Sequence, residues 1–449
     1  MGRLFGTDGA RGVANKELTC ELAMNIGRAA AMVLTDSSDK KPVFVIGKDT
    51  RLSSDMLEGA IIAGLCSVGA DVITLGVVPT PAVALLVKKY NADAGIMISA
   101  SHNPFEFNGI KIFSGTGFKL PDSLEEEIEA IVLDNAKPYA VADDDKLGKV
   151  TVADNAVDEY VDHVVATVPQ KPEDLKVAFD CSNGSSSRTA KAIFEKLGVE
   201  CYITHSTPDG TNINKDCGST HIEALAEYVK ANSLDCGIAF DGDADRCLAV
   251  DENGELVDGD FIIAMCALDL KERGMLKNNT AVGTVLTNMG FNKFCEENDI
   301  SFEATKVGDR YVLESMVENG YSIGGEQSGH VIFLDYCTTG DGQTTAAQLL
   351  SLMKRKGQTL SEAAKVMQRF PQVMVNVHIS PEGKNKVNSD DDVQAKVAQV
   401  AKKLEGHGRI IVRESGTEPL VRVMLEGDNY AEIEALANET AEIVKAKLG

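Results

Sequence analysis

The chain is short of positive charge, of paired-cysteine spacing and of long apolar runs, and each shortage removes a class of function. Lys and Arg number 44 against 68 Asp and Glu, for a net charge of −24. A general nucleic-acid or anionic-membrane binder carries a basic footprint, so no nucleic-acid or membrane partner is expected. A small anionic substrate, held by a local cluster of cations, remains compatible with this balance. The ten cysteines are scattered, without a CxxC pair or a His-Cys group at zinc spacing, and read as buried reduced thiols. Met1-Gly2-Arg3-Leu4-Phe5-Gly6 runs into polar residues without an apolar signal core. No stretch approaches the ~20 apolar residues of a membrane span, so a soluble, cytoplasmic protein is expected.

What is present is length and repetition. At 449 residues the chain is long enough for several cores at ~150 residues each. Three segments share one pattern. Val43–Ile46, Ala70–Leu75 and Gly95–Ile98 are apolar runs around a helical stretch, and the last leads into Ser101. Val177–Asp180, Cys201–Ile203 and Cys236–Phe240 repeat it and lead into Asp241. Ala281–Val285, Ser301–Glu303 and Tyr321–Ile323 repeat it again and lead into Gly324-Gly325-Glu326. A fourth β-rich run follows each motif (Ile110–Phe113, Cys247–Val250, His330–Phe333), and the short turn into it predicts an antiparallel last strand.

The fold class expected is therefore α/β: three similar domains with mixed sheets covered by helices, set around a central cleft at the carboxyl ends of the strands. Beyond Pro371 the apolar runs Val373–Val377, Arg409–Val412 and Leu420–Met424, with helices over Asp392–Leu404 and Tyr430–Leu448, predict a smaller α+β domain. Pro169–Pro172, Glu252–Gly254 and Arg369–Pro371 are the candidate linkers. They set expected domains of 1–168, 169–254, 255–370 and 371–449. The acidic tract Asp143–Asp145 reads as a solvated loop.

Four motifs carry the chemistry. In Ser99-Ala100-Ser101-His102-Asn103-Pro104, a turn-making Asn-Pro step follows a serine, and Asn108-Gly109 tolerates positive φ. That arrangement would bring His102 and Lys111 near the Ser101 hydroxyl, a candidate nucleophile. Asp241, Asp243 and Asp245 alternate, would line one face of an extended segment, and repel one another unless a cation neutralises them. A hard divalent ion, Mg²⁺ above all, suits such oxygens. An EF-hand would also take Asp241, Asp243, Asp245 and Glu252, but its sixth position holds Arg246 where Gly is required, and the flanks read as strand. Gly324–His330 is a polar loop in which Glu326 and Ser328 can bind hydroxyl groups, and His330 is either a proton shuttle or a core histidine. Arg413-Glu414-Ser415-Gly416-Thr417-Glu418-Pro419, followed by Arg422, can cradle a phosphate dianion, and Arg11 in Gly6–Gly12 can join a phosphate-binding surface.

These motifs, in this order over essentially the whole chain, resemble the α-D-phosphohexomutase superfamily. The opening Phe5–Gly12, Gln327 and Val307-Gly308-Asp309-Arg310-Tyr311 are most similar to its bacterial members that act on amino sugars. Phe107, where relatives often carry Asp, is a departure that bears on loop packing.

The resemblance implies an intramolecular phosphotransferase of the isomerase class. It would interconvert glucosamine 6-phosphate and glucosamine 1-phosphate through a phosphoserine and a 1,6-bisphosphate, feeding UDP-N-acetylglucosamine and cell-wall precursors. Mannose or glucose phosphates are the alternative substrates. Ser101 is then the phosphoserine; Ser101, Asp241, Asp243 and Asp245 hold one Mg²⁺; and Ser101, Lys111, Arg11 and His330 form the catalytic group. His102, Arg246, Arg310, Glu326, Gln327, Ser328, Arg413, Ser415, Gly416, Thr417 and Arg422 bind substrate. Glucosamine or glucose 1,6-bisphosphate is the implied activator, and relatives often form homodimers.

Overall fold

The computed structural model describes residues 3–6, 8–35, 40–380, 383, 386–414 and 420–449. Ser415, Gly416 and Thr417 lie outside the described residues. The chain divides into two compact units, Met1–Leu286 with Ile300–Val366, and Thr287–Asp299 with Met367–Gly449.

The first unit contains three sheets. One combines β1 (Phe5–Gly6), β2 (Gly9–Val13), β3 (Val43–Lys48), β4 (Asp71–Val77), β5 (Ala94–Ile98), β6 (Phe107–Ser114) and β7 (Val150–Val152) in the order β1-β2-β6-β5-β3-β4-β7. The next holds β8 (Lys176–Asp180), β9 (Glu200–Thr204), β10 (Cys236–Phe240), β11 (Cys247–Asp251) and β12 (Leu256–Val257) in the order β12-β11-β10-β8-β9. The last holds β13 (Thr280–Thr284), β14 (Ser301–Thr305), β15 (Ile323–Gly325) and β16 (Val331–Phe333) in the order β14-β13-β15-β16.

The expected repeat is present in the topology. In each sheet the first repeat strand pairs in parallel with the second and the third, and the third pairs with an antiparallel fourth. The central strands β5 and β10 are buried along their whole length, as strands covered on both faces must be, and their residues are correspondingly apolar. The three polar motifs are the connections from third strand to fourth, at the carboxyl end of the third. At each of these positions an apolar strand gives way to a polar connection, so polar side chains collect at one kind of position in all three repeats.

Several local readings change. The motif that carries Arg11 contributes β1 and β2, which pair antiparallel, and β2 pairs with β6 and puts Arg11 opposite Gly109. Glu252–Gly254, read as a linker, turns between β11 and β12 in one sheet. Asp143–Asp145 is exposed, as expected, and enters a short 3₁₀ turn. None of the ten cysteines is in a disulfide, and six of them are buried. No helix among the described residues is long and apolar enough to cross a membrane.

The second unit is an antiparallel sheet of β17 (Gln372–His378), β18 (Gly408–Glu414) and β19 (Leu420–Gly427), in the order β17-β19-β18. Helices Asp391–Lys403 and Tyr430–Leu448 pack on it over a core that includes Val393, Val400, Val423, Leu425 and Val444. Helix Met289–Glu297 also belongs to this unit: Glu426 of β19 accepts bonds from the Met289 amide at 3.2 Å and the Asn288 side chain at 3.3 Å.

Candidate active site

The connection from β5 to β6 carries Ser101, buried and held at φ +53°, in the left-handed region. Its Oγ donates to Asp241 Oδ2 at 2.6 Å and lies 3.4 Å from His102 Nδ1. Positive φ therefore falls on Ser101 and not on the Asn108-Gly109 step. Asn108 sits inside β6, where its side-chain Nδ2 donates to the Ser53 and Ser54 hydroxyls. Gly109 is needed for close approach, since a Cβ there would stand 2.5 Å from the Ser99 carbonyl oxygen.

The three aspartates are not on an extended segment. Residues 241–245 turn, closed by the Ala244 amide on the Asp241 carbonyl at 3.1 Å, with Ala244 at φ +57°. The turn folds the carboxylates inward, so that one oxygen from each lies within 4.8 Å of the others, all three residues being buried. Burial, then the neighbouring Asp245 and Asp243, pushes the Asp241 carboxyl well above the usual range. Oδ1 of Asp243 and of Asp245 is buried without a hydrogen-bond partner among the described residues. Crowded carboxylates with bare inward oxygens are a donor set that fits a hard divalent cation. Thr80, at the start of helix Thr80–Lys89, fixes Asp243 from the other side through its hydroxyl at 2.6 Å.

Lys111 closes the arrangement. Its Nζ lies 2.8 Å from Asp243, 3.0 Å from Asp8 and 3.3 Å from Asp245, and the side chain is almost wholly buried. Burial alone would lower the ammonium pKa, but Asp243, Asp8 and Asp245 outweigh it and hold it well above the usual value. The same attraction overcomes burial at Asp243 and keeps that carboxyl below its usual range. At His102 burial, then Arg246 and Arg11, pushes the ring down to about 3, so it is neutral beside the Ser101 hydroxyl.

The turn from β15 to β16 meets this group edge-on. Arg246 and His330 form an antiparallel bridge, and the Cys247 amide donates to Gly329 at 2.9 Å. Glu326 accepts from the Gly308 amide at 3.1 Å, and the Gly259 amide donates to the Gln327 carbonyl at 3.0 Å. The Ser328 Oγ and both His330 ring nitrogens are buried without hydrogen-bond partners among the described residues, although His330 Nε2 lies 3.6 Å from Asp309 and 4.0 Å from Asp245.

The structure thus brings Ser101, His102, Lys111, Asp241, Asp243, Asp245, Arg246 and His330 together, with Arg11 alongside through its ion pair to Asp8. Arg310 is held elsewhere, between Asp122, Glu125 and the Leu120 carbonyl of the first sheet's flank. In the second unit Arg413 and Arg422 stand directly opposite each other on β18 and β19.

Three charged residues had no role in the sequence reading. Asp8 joins Arg11, Lys111 and Lys119, and Lys119 in turn joins Asp309. This chain of alternating charge runs from the aspartate cluster to His330. Asp8 and Asp309 were visible inside the quoted motifs, but nothing local marks Lys119 as their partner. A cavity of about 740 Å³ flanks the serine connection, lined by His102, Pro104, Phe105 and Asn214 among others.

Comparison with known proteins agrees with this architecture. The sequence matches "Phosphoglucomutase/phosphomannomutase, alpha/beta/alpha" domains I, II and III over residues 2–138, 158–254 and 258–370. The C-terminal domain of the same family matches over 374–443. A phosphoglucosamine mutase of Clostridium novyi (strain NT) is 51% identical over 447 residues, spanning 100% of this chain and 99% of that one. One from Acetivibrio thermocellus is 51% identical over 449 residues and 100% of both. Among solved structures, a phosphoglucomutase/phosphomannomutase family protein from Burkholderia thailandensis superposes with a TM-score of 0.84 at 24% identity, over 99% of this chain and 98% of that one. The Aspergillus fumigatus N-acetylphosphoglucosamine mutase in complex with GlcNAc-6P and magnesium gives 0.70 at 17% identity, over 99% and 95%. These two likenesses concern the fold.

Proposed function

The chain belongs to the phosphoglucomutase/phosphomannomutase family of phosphohexomutases, and from that premise we propose that it interconverts glucosamine 6-phosphate and glucosamine 1-phosphate. Ser101 carries the phosphoryl group. The P–O bond to Ser101 Oγ breaks as one forms to O1 of glucosamine 6-phosphate, and the O1 proton passes to a nearby base. The freed Ser101 Oγ takes up that proton; the 1,6-bisphosphate turns over in the site, the P–O6 bond breaks as one forms to Ser101 Oγ, the Ser101 proton passes to O6, and glucosamine 1-phosphate leaves.

Asp241, Asp243, Asp245 and an oxygen of the phosphoserine are the groups we assign to Mg²⁺, which when bound neutralises charge on the transferring phosphoryl. Lys111, Arg246 and Arg11 supply further positive charge around it. Preorganised charge of this kind is the main contribution a protein makes to phosphoryl transfer. Lys111 and His330 are the candidate proton carriers; neither ring nitrogen of His330 has a hydrogen-bond partner among the described residues, which suits it to the task. Glu326, Gln327 and Ser328 bind sugar hydroxyls. Arg413 and Arg422 take the phosphate that is not reacting, with Ser415, Gly416 and Thr417. His102 and Arg310 complete the substrate-binding assignment, Arg310 acting through its contacts to helix Asp122–Asp134. Domain limits of 1–168, 169–254, 255–370 and 371–449, a cytoplasmic location, activation by a hexose 1,6-bisphosphate and a homodimer belong to the same reading.

The observation that carries the proposal is the 2.6 Å hydrogen bond from Ser101 Oγ to one of three converging carboxylates. Comparing kcat/KM on glucosamine, glucose and mannose 6-phosphates with Mg²⁺ tests the substrate. Preference for the amino sugar is expected; preference for glucose or mannose would make the chain a phosphoglucomutase or phosphomannomutase of the same family.

A further inference from the structure

We propose that Asp49, Arg51, Ser99 and Asn214 form a positioning clamp that holds the backbone of Ser101 in its left-handed conformation and so aims its hydroxyl at the aspartate cluster. The inference rests on the reading of Ser101 as the phosphoryl carrier. A non-glycine residue at positive φ is strained and persists only when its surroundings impose it. Here the surroundings take hold of both backbone polar groups of Ser101. Its amide donates to Ser99 Oγ at 3.0 Å, and Ser99 Oγ donates to Asp49 Oδ2 at 2.6 Å. Its carbonyl accepts from Arg51 Nη2 and from Asn214 Nδ2, each at 2.9 Å. The same two nitrogens bind the Asn103 carbonyl, at 2.8 Å and 3.0 Å.

The guanidinium of Arg51 is wholly buried, and its Nε and Nη1 make no hydrogen bond among the described residues. Its side-chain hydrogen bonds therefore all go to the serine connection. Asp49 faces Arg51 Nε at 3.4 Å and receives the Arg51 amide and the Ser54 hydroxyl, so one carboxylate orients both halves of the clamp. Gly242 completes the closure. A Cβ there would stand 2.6 Å from the Ser101 carbonyl oxygen and 2.9 Å from Asn214 Nδ2, so the aspartate turn lies directly against the clamped carbonyl. The clamp holds Ser101 by its backbone amide and carbonyl and leaves its hydroxyl to Asp241. Its members are positioning residues for a transfer that needs Ser101 Oγ in line with its acceptor.

Asn214→Ala and Ser99→Ala test this, assayed in the full-length enzyme with glucosamine 6-phosphate and Mg²⁺ beside Ser101→Ala. Each clamp variant is expected to lower kcat about 10- to 100-fold with KM held within about two-fold, because ground-state binding does not use the clamp. The ³¹P resonance of the phosphoserine, formed with glucose 1,6-bisphosphate, is expected to shift or broaden. If Asn214→Ala does not fold, Ser99→Ala decides alone, since it releases the amide without touching the carbonyl bonds. An inactive Ser101→Ala with kcat and ³¹P resonance unchanged in the folded clamp variants overturns the clamp, as does a fall in thermal stability alone. Full turnover in Ser101→Ala overturns the phosphoryl-carrier reading instead, and the clamp with it.

Discussion

Ser101 Oγ and Asp241 Oδ2 are 2.6 Å apart although 140 residues separate them in the chain. A hydroxyl thus bonds to a carboxylate that burial and its neighbours Asp245 and Asp243 push well above the usual pKa range, in a crowd of acidic groups whose repulsion positive charge would relieve.

Supplying that charge stabilises the enzyme. A divalent ion at about 100 times its Kd adds about 2.7 kcal/mol if it binds only the folded state. Titrating Mg²⁺ into chelator-treated protein is expected to raise Tm and to restore turnover. In Asp241→Asn the Tm gain shrinks, while in chelator the variant melts at or above the parent because one crowded carboxylate is gone. An equal Mg²⁺ gain in both proteins would contradict the assignment of the aspartates.

Glu125, in helix Asp122–Asp134, has a carboxyl raised from the ordinary 4.5 to about 7, chiefly by burial and against the pull of Arg310. Between those values the folded chain binds more protons at this site than the unfolded chain. This contribution to stability is therefore complete below 4.5 and lost as the pH rises through about 7. Melting curves across that window are expected to show a shallower loss of Tm with rising pH in Glu125→Gln than in the parent. Parallel curves would remove Glu125 from the account.

In the second unit Glu426 is buried and bonded to Arg409, which stands opposite it across the β18–β19 pair, with Nε to Oε2 at 2.7 Å. Arg409→Met leaves that carboxylate without its charge partner, which costs about 3–5 kcal/mol in buried settings. Hydrogen exchange along β19 is expected to accelerate in Arg409→Met and to slow again when Glu426→Gln is added. Failure of the second substitution to restore protection would mean the loss lies in packing.

Arg422→Ala is expected to raise KM for glucosamine 6-phosphate about ten-fold or more, the value of one charge-assisted hydrogen bond to phosphate of about 1.5–3 kcal/mol, with a smaller effect on kcat. Steady-state kinetics read this directly. An unchanged KM would remove Arg422 from phosphate binding.

The repeat was legible because the third strand of each unit ends abruptly: Phe240 to Asp241 is one step from buried apolar strand to buried carboxylate. The site's backbone was less legible. Local turn chemistry marked Asn108-Gly109 as a step that tolerates positive φ, whereas tertiary bonds impose it on Ser101 and a tight turn places it at Ala244. The strands β1 and β2 are short and glycine-bearing, and they exist because β6 offers an edge to pair with. Lys119 bonds partners 111 and 190 residues away, at Asp8 and Asp309, a separation over which side-chain pattern carries no signal. Arg51 and Asn214 escaped notice for the same reason: what they bind is backbone, and backbone has no sequence.

The central claim is that the Ser101 hydroxyl carries the phosphoryl group, and mass spectrometry of the Ser101 peptide tests it most directly. After incubation with glucose 1,6-bisphosphate and Mg²⁺, the peptide is expected to gain one phosphoryl group on Ser101, and to lose it when glucosamine 6-phosphate is added as the 1,6-bisphosphate forms. An enzyme that turns over while Ser101 stays unmodified throughout would contradict the account.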